Sequence, residues 1–456
     1  MRILKLGVGC LALLSVVLQA SVGSVLEPVT PGATNVIPAA GSARFPEQVA
    51  CDPQGTVHVA FRILENAGRR TPVYYCRRSP DGTWSAPVKV SEAGRNCGDP
   101  AIAWCSERRV LIAWIDTTDR GRYSLVVRCS EDDGKSWTTV LAHPSVTGRT
   151  QPRIGANKAL AYVCFSSART EAAGSRLYFY RSQDAGRTWS QKDLDFSGVG
   201  YTSSEQEMLL RGDEVWLAWR SESEGKTRIA VNRSVDRGET WLTAPVYVSD
   251  DRPGRPSLPS FGTDGEEVSV FWRASYPGSK VVFYEDRSKG GDTWGEDTVL
   301  YETKVTPVTH KIARLGNDRY LLWIAGESWR RGPRKLNCVK VTYPAETTPE
   351  EAVIWTESEI ADFSELDVKV IDKTLYLATI GRFGRGDFRV LLLSRNANGE
   401  DQRWIIGGGD QKERSSLALV PFGSNIGCLW NERRARMLPM ESPNGSLVFG
   451  RLAGEQ

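Results

Sequence analysis

The sequence predicts an all-β protein, a β-propeller of four-stranded blades, and three observations carry that prediction. Trp84, Trp137, Trp189, Trp241 and Trp294 each close a short turn-like motif, at intervals of 53, 52, 52 and 53 residues; so steady a period marks structural repeats of propeller-blade size. Between these turns a pattern of apolar strand, Gly or Asp turn and second apolar strand recurs eight times. Fifteen Trp and 43 Gly in 456 residues favour many short strands joined by tight turns.

Taken in chain order, residues 1–23 place Arg2 and Lys5 ahead of an apolar run to Leu18, followed by the small residues Ala20, Ser21 and Gly23. That layout predicts a secretory signal peptide, and hence a secreted, periplasmic or extracellular protein. No later segment approaches transmembrane length. Residues 24–44 form an N-terminal segment in which Ala33–Gly41 could close the last blade. The propeller then occupies 45–456, with hairpins reading from Val49, Ala101, Arg153, Met208, Ser260, Lys311, Val368 and Leu417. Their strands are alternating or wholly apolar, with no amphipathic helix between them. A third strand such as Arg176–Ser182 and a fourth such as Ala244–Ser249 complete each unit. Eight copies predict eight blades around an axis; seven, or six plus an appendage, are the alternatives.

With 40% hydrophobic residues the chain can bury a large core. Lys and Arg number 58 against 55 Asp and Glu, and the basic pairs Arg330-Arg331 and Arg433-Arg434 are short, so no nucleic-acid partner is expected. Eight cysteines follow the signal segment, six of them between residues 51 and 164, which in an exported protein predicts one or two disulfides near the N-terminal end. None has the paired spacing of a zinc site, and Gly407–Gly409 lacks the strand-to-helix setting of a phosphate loop. No cofactor or metal is expected. Asn232 and Asn444 fit the glycosylation acceptor triplet and are expected on ordinary surface.

The recurring turn reads SQDAGRTW at Ser182–Trp189, SEDDGKSW at Ser130–Trp137, SVDRGETW at Ser234–Trp241, and more loosely SPDGTW at Ser79–Trp84 and SKGGDTW at Ser288–Trp294. Its Asp can accept backbone N–H bonds, its Gly can take a positive φ, and its Trp can pack between sheets. The motif resembles the Asp-box, or BNR repeat, of sialidases and related propellers. The resemblance places the boxes between third and fourth strands, on the face away from the active site, so Asp81, Asp133, Asp184 and Asp236 are assigned to structure. The opposite face takes the loops that lead into each first strand and leave each second one. It collects Arg44, Asp99, Glu205, Glu207, His310, Glu365, Asp367 and Arg414 from the former, and Arg62, Asp116, Arg220, Arg273, Glu327, Arg382 and Glu432 from the latter. Such a rim suits an anionic or hydroxyl-rich ligand, a carbohydrate above all.

Parts of the sialidase site can be placed residue by residue. Arg44, in Arg44-Phe45-Pro46, resembles the first arginine of the carboxylate-binding triad. Glu205 and Arg220, 15 residues apart, resemble the Glu that polarises the tyrosine nucleophile and the second arginine. For the third arginine the chain offers Arg273 or Lys280, and for the general acid Glu65 where the family has Asp. Thr309 and His310 stand where the tyrosine is expected, with Tyr276 and Tyr301 nearby in sequence. The resemblance thus implies a secreted, glycoside hydrolase-type enzyme with a divergent site, His310 acting with Glu205, Glu327 or Glu365 as acid and base. A non-catalytic propeller that binds glycans or another protein is the alternative.

Overall fold

The computed structural model describes residues 48–63, 70–106, 108–117, 123–145, 151–168, 175–192, 202–223, 225–249, 254–264, 267–288, 293–326, 333–342, 350–351, 360–384, 387–406, 412–422, 425–434 and 445–451. The predicted signal peptide, the segment 24–44 with its closing strand, Arg44, Glu65, Glu327, Gly407–Gly409 and Asn444 lie outside them.

These residues form eight antiparallel sheets in chain order. The fourth is typical: Thr202–Arg211, Glu214–Ser223, Lys226–Ser234 and the short Val246–Tyr247 pair in that order. In the second, Asn96–Cys97 and Ala101–Cys105 both pair with Arg109–Thr117. The eighth shows Lys412–Phe422, Asn425–Arg434 and Gly445–Arg451. Among the described residues the one helical element is a single 3-10 turn at Pro277–Ser279, so the fold is an all-β propeller.

Alternation along the second strands makes the ring. In Glu214–Ser223, Val215, Leu217 and Trp219 pack on the third blade, while Trp216 and Ala218 pack on the fifth. Successive side chains of a strand point to opposite faces, so one strand feeds two interfaces, which is why it reads as a continuous apolar run. Eight such clusters join each sheet to the next, the last uniting Val420 and Leu429 of the eighth sheet with Val57, Val59, Phe61 and Cys76 of the first.

The boxes are hydrogen-bonded clasps on the lower face. In Ser182–Trp189 the Ser182 hydroxyl donates to Asp184 and accepts from Gly186 N–H, while Asp184 accepts from the Thr188 N–H and hydroxyl. Trp189 Nε1 donates to the Gly186 carbonyl. The motifs at Ser130 and Ser234 repeat this set. One assignment changes: in the second box the clasping carboxylate is Asp132, not Asp133. Hydrogen bonds from Ser136 hold Asp132 down to about 2, whereas Asp133 takes the φ of 61° just before Gly134 and pairs with Arg108 and Arg77. Ser130 sets the register, because its hydroxyl must reach both the carboxylate two residues on and the N–H four residues on.

The box tryptophans and glycines reach the preceding blade. Trp137 meets Tyr75 edge to face at 5.1 Å, and Trp241 meets Phe179 at 4.9 Å. A Cβ on Gly134 would lie 1.9 Å from a Tyr75 ring carbon, so only glycine fits.

The predicted disulfides are not formed; all eight cysteines are free thiols. Most serve different interfaces: Cys97 the first-to-second, Cys164 the third-to-fourth, Cys338 the sixth-to-seventh and Cys428 the seventh-to-eighth. Cys51 and Cys76 share a cluster, as do Cys105 and Cys129, but each pair sits on two strands with a third between them. At ~4.8 Å per strand their Cα atoms stand roughly 9–10 Å apart, beyond the reach of about 7 Å for a disulfide. Asn232 also departs from expectation: it is fully buried, with Nδ2 donating to the Leu242 carbonyl, so it is not ordinary surface.

Candidate ligand site on the upper face

The first strands of the fourth and fifth blades share a local distortion. Pairing slips between Ser204 and Glu207, and again between Ser257 and Ser260, each bulge admitting one residue in the left-handed region, Glu205 at φ 54° and Leu258 at φ 54°. Bulges re-aim side chains and bend the strand. Just before each bulge a serine pairs with an arginine of the second strand, Ser204 with Arg220 and Ser257 with Arg273. Arg220 and Arg273 therefore hold one position in consecutive blades. Strand alternation turns Arg220 toward the fifth blade, on the side of Trp216 and Ala218, and Arg273 toward the sixth, on the side of Phe271.

Glu205 links them. Its Oε2 accepts the Leu258 N–H at 2.5 Å, and its Oε1 lies 4.0 Å from Arg220 Nη1; Arg220 also pairs with Glu222. Burial pulls the Arg273 guanidinium below its ordinary range, against the opposing charge of Glu205. Arg273 Nη1 donates to the Pro307 carbonyl at 3.1 Å. The Nε atoms of both arginines are buried with no hydrogen-bond partner. A buried, unsatisfied donor is costly, and two of them beside one carboxylate form a receptor short of acceptors.

His310 completes the cluster from the sixth blade. Its ring lies 5.2 Å from that of Phe283, and burial, reinforced by Arg273 and Lys311, pushes its pKa down to about 3. It is neutral at physiological pH, a hydrogen-bonding group more than a charged one. A cavity of about 480 Å³ is lined by Ser279, Thr306, Pro307 and Val308, and it is the Pro307 carbonyl that Arg273 holds.

Of the residues expected from sequence, Glu205, Arg220, Arg273 and His310 thus come together across three blades. Lys280 sits on the same face but pairs with Glu302 at 2.6 Å, 5.5 Å from the Tyr276 ring centre, which leaves Arg273 as the arginine turned into the cluster. Glu365 occupies the equivalent bulge of the seventh blade, at φ 58°, with Ile380 where Arg220 and Arg273 stand. Among the other described rim residues, Arg62 pairs with Asp99 at 2.5 Å, Arg153 with Glu207 at 2.7 Å and Arg414 with Glu432 at 2.9 Å. Sequence reasoning missed Leu258. The serine before each bulge, at 204, 257, 364 and 415, is the one signal that marked the position.

The recurrent boxes agree with the comparison to known families: residues 46–279 match the BNR repeat-like domain. The chain belongs to that family. It is a BNR-repeat propeller. Among solved structures, an ulvan lyase described as a new polysaccharide lyase family, bound to -[GlcA(1-4)Rha3S]-, superposes with a TM-score of 0.50 at 10% identity, over 92% of this chain and 94% of its own. An α-L-arabinanase of Penicillium chrysogenum complexed with arabinobiose gives 0.40 at 14% identity, over 68% and 93%. A Trypanosoma rangeli sialidase in complex with sialic acid gives 0.38 at 13%, over 69% and 56%. At these identities the likeness is one of fold. No curated protein matches the sequence.

Proposed function

We propose that this BNR protein is a secreted, glycoside hydrolase-type enzyme acting on an acidic carbohydrate on the face opposite its boxes. The observation that carries the reading is the Glu205 cluster. One carboxylate is fixed by a backbone N–H beside two arginines, whose buried Nε donors lack partners. Arg273 and Arg220 hold the anionic group of the sugar, since a guanidinium presents paired donors to a carboxylate or sulfate. Glu205, 29% exposed and anchored at one oxygen, is the acid–base or polarising carboxylate. His310 donates or accepts a hydrogen bond as a neutral imidazole. Arg44 and Glu65 take the remaining roles of anion ligand and general acid. With Thr309 and His310 in place of a tyrosine, the tyrosine-nucleophile route of sialidases is not available at that position, and the chemistry follows a different scheme.

Glu205→Gln and Arg273→Lys, assayed for release of reducing sugar from sialylated and uronate-containing polysaccharides, test this. Loss of the acid–base group is expected to cut turnover by about 10²–10⁴, and Arg273→Lys to raise KM more than it lowers kcat. Full turnover in Glu205→Gln removes Glu205 from the chemistry. Binding without release from any substrate favours a glycan-binding propeller instead, a reading to which the weakly basic His310 lends weight. Export is tested by the mass of the N-terminal peptide of the mature protein, expected to begin between residues 21 and 24.

A further inference from the structure

Leu258 stands out in this site on two counts. It is a bulky side chain in the left-handed region, at φ 54°, where L-residues other than Gly, Asn and Asp are disfavoured. It is also a large apolar side chain left 41% exposed, although most leucines among the described residues are buried. Glycine would relieve the backbone and keep the N–H that Glu205 accepts; leucine does neither task better than glycine could. The same backbone recurs at Glu205, Glu365 and Ser416, so the bulge belongs to the fold, and it is the bulky apolar side chain at this one that calls for a use. The position supplies one, because Leu258 follows the serine paired with Arg273 and its N–H carries Glu205. Farther along the same side, beyond the Pro307 carbonyl that Arg273 holds, Val308 is 46% exposed on the wall of the cavity.

We propose that Leu258 is the specificity-determining residue of the site, an alkyl platform for the C–H face of a pyranose ring whose acidic substituent lies on Arg273 and Arg220. The inference rests on the functional reading above and narrows its substrate class. A ring that stacks on an alkyl group needs one face cleared of hydroxyls. Galacto-configured uronates meet that need, because the axial C4 hydroxyl leaves the opposite face a continuous patch of C–H groups. Gluco-configured uronates, with C4 equatorial, present a less continuous one. The site therefore selects galacturonate-type over glucuronate-type units by contact with Leu258, while the arginines serve both alike.

The test uses the full chain with Leu258→Gly, Leu258→Met and Arg273→Gln. The probes are methyl galacturonoside and methyl glucuronoside of one anomeric form, titrated by ligand-observed NMR. Wild type is expected to favour the galacturonoside, and Leu258→Gly to bind it about tenfold more weakly, with the preference gone. Leu258→Met retains the preference, and Arg273→Gln weakens both probes equally. Because glycine suits a positive φ, Leu258→Gly is expected to melt no lower than wild type, which separates lost contact from lost fold. A preference that survives Leu258→Gly, or no preference in wild type while both probes bind through Arg273, overturns the platform and leaves the functional reading standing. Binding of neither uronoside by wild type overturns the platform, and the functional reading falls with it if no sialylated or uronate-containing polysaccharide is bound or cleaved either.

Discussion

Gly134→Ala places a methyl group where the second blade's box touches the first blade, and two separate costs can be worked out. Gly134 sits at φ 86°, a conformation that costs an L-residue about 1–2 kcal/mol. The new Cβ would also lie 1.9 Å from Tyr75 Cε1 and 2.6 Å from its Cδ1, so the ring must move. It cannot move freely: Tyr75 is 1% exposed, its hydroxyl meets His58 Nδ1 at 2.7 Å, and Trp137 packs on its edge. Overpacking of a rigid site costs a further ~1–3 kcal/mol, for a total of about 2–5 kcal/mol. Gly94→Ala isolates the first cost, since Gly94 has φ 77° and a methyl group there would meet no atom within 4 Å; about 1–2 kcal/mol is expected. Urea unfolding followed by tryptophan fluorescence, compared at equal m-values, reads the difference. Equal losses in the two variants would refute the claim that the box glycine is fixed by the neighbouring blade.

Glu285→Ala should be costly as well, because Glu285 and Arg319 are each 1% exposed and joined by bonds of 2.9 and 3.1 Å, with Ser269 on the same carboxylate. A loss of about 3–5 kcal/mol is expected from the stranded guanidinium, most of it recovered in Glu285→Leu with Arg319→Met; denaturant midpoints check both. His310 gives a pH signature. Its folded pKa of about 3 lies below the ordinary 6.5, so between those values the unfolded chain binds a proton that the folded chain does not. The stability tied to neutral His310 is present above pH ~6.5 and declines as pH falls toward ~3. His310→Asn should flatten that part of the curve in melts taken across the window, and an unchanged slope would show that other groups set it.

The ring was legible in the sequence because its signals are local. Each full box is clasped by bonds among its own serine, aspartate, glycine and hydroxyl residues, all within eight positions, and each second strand is a largely apolar run that burial on both faces explains. The error at Asp133 was local too: of the two adjacent aspartates only Asp132 stands two residues after Ser130, as Asp184 does after Ser182. The disulfide expectation failed because cysteine counts carry no information on which interface each strand position feeds. For the site, Glu205 and Arg220 could be found by resemblance, and Arg273 lay open against Lys280 until the pairing of Lys280 with Glu302 became visible. Leu258 escaped notice because its significance depends on a backbone angle and on a bond to a carboxylate 53 residues earlier, and neither leaves a mark on residue type.

The interlocking of the eight sheets has a mechanical meaning. An open array of repeats frays from its ends, and its terminal units carry a polar outer face to prevent that. Here the eighth sheet packs on the first, so among the described residues no sheet is left terminal. Parting any one seam would bare two apolar walls at once, which ties the survival of every blade to the weakest joint. The seam where Val420 and Leu429 meet Val57, Val59, Phe61 and Cys76 is as much a part of that circuit as any other.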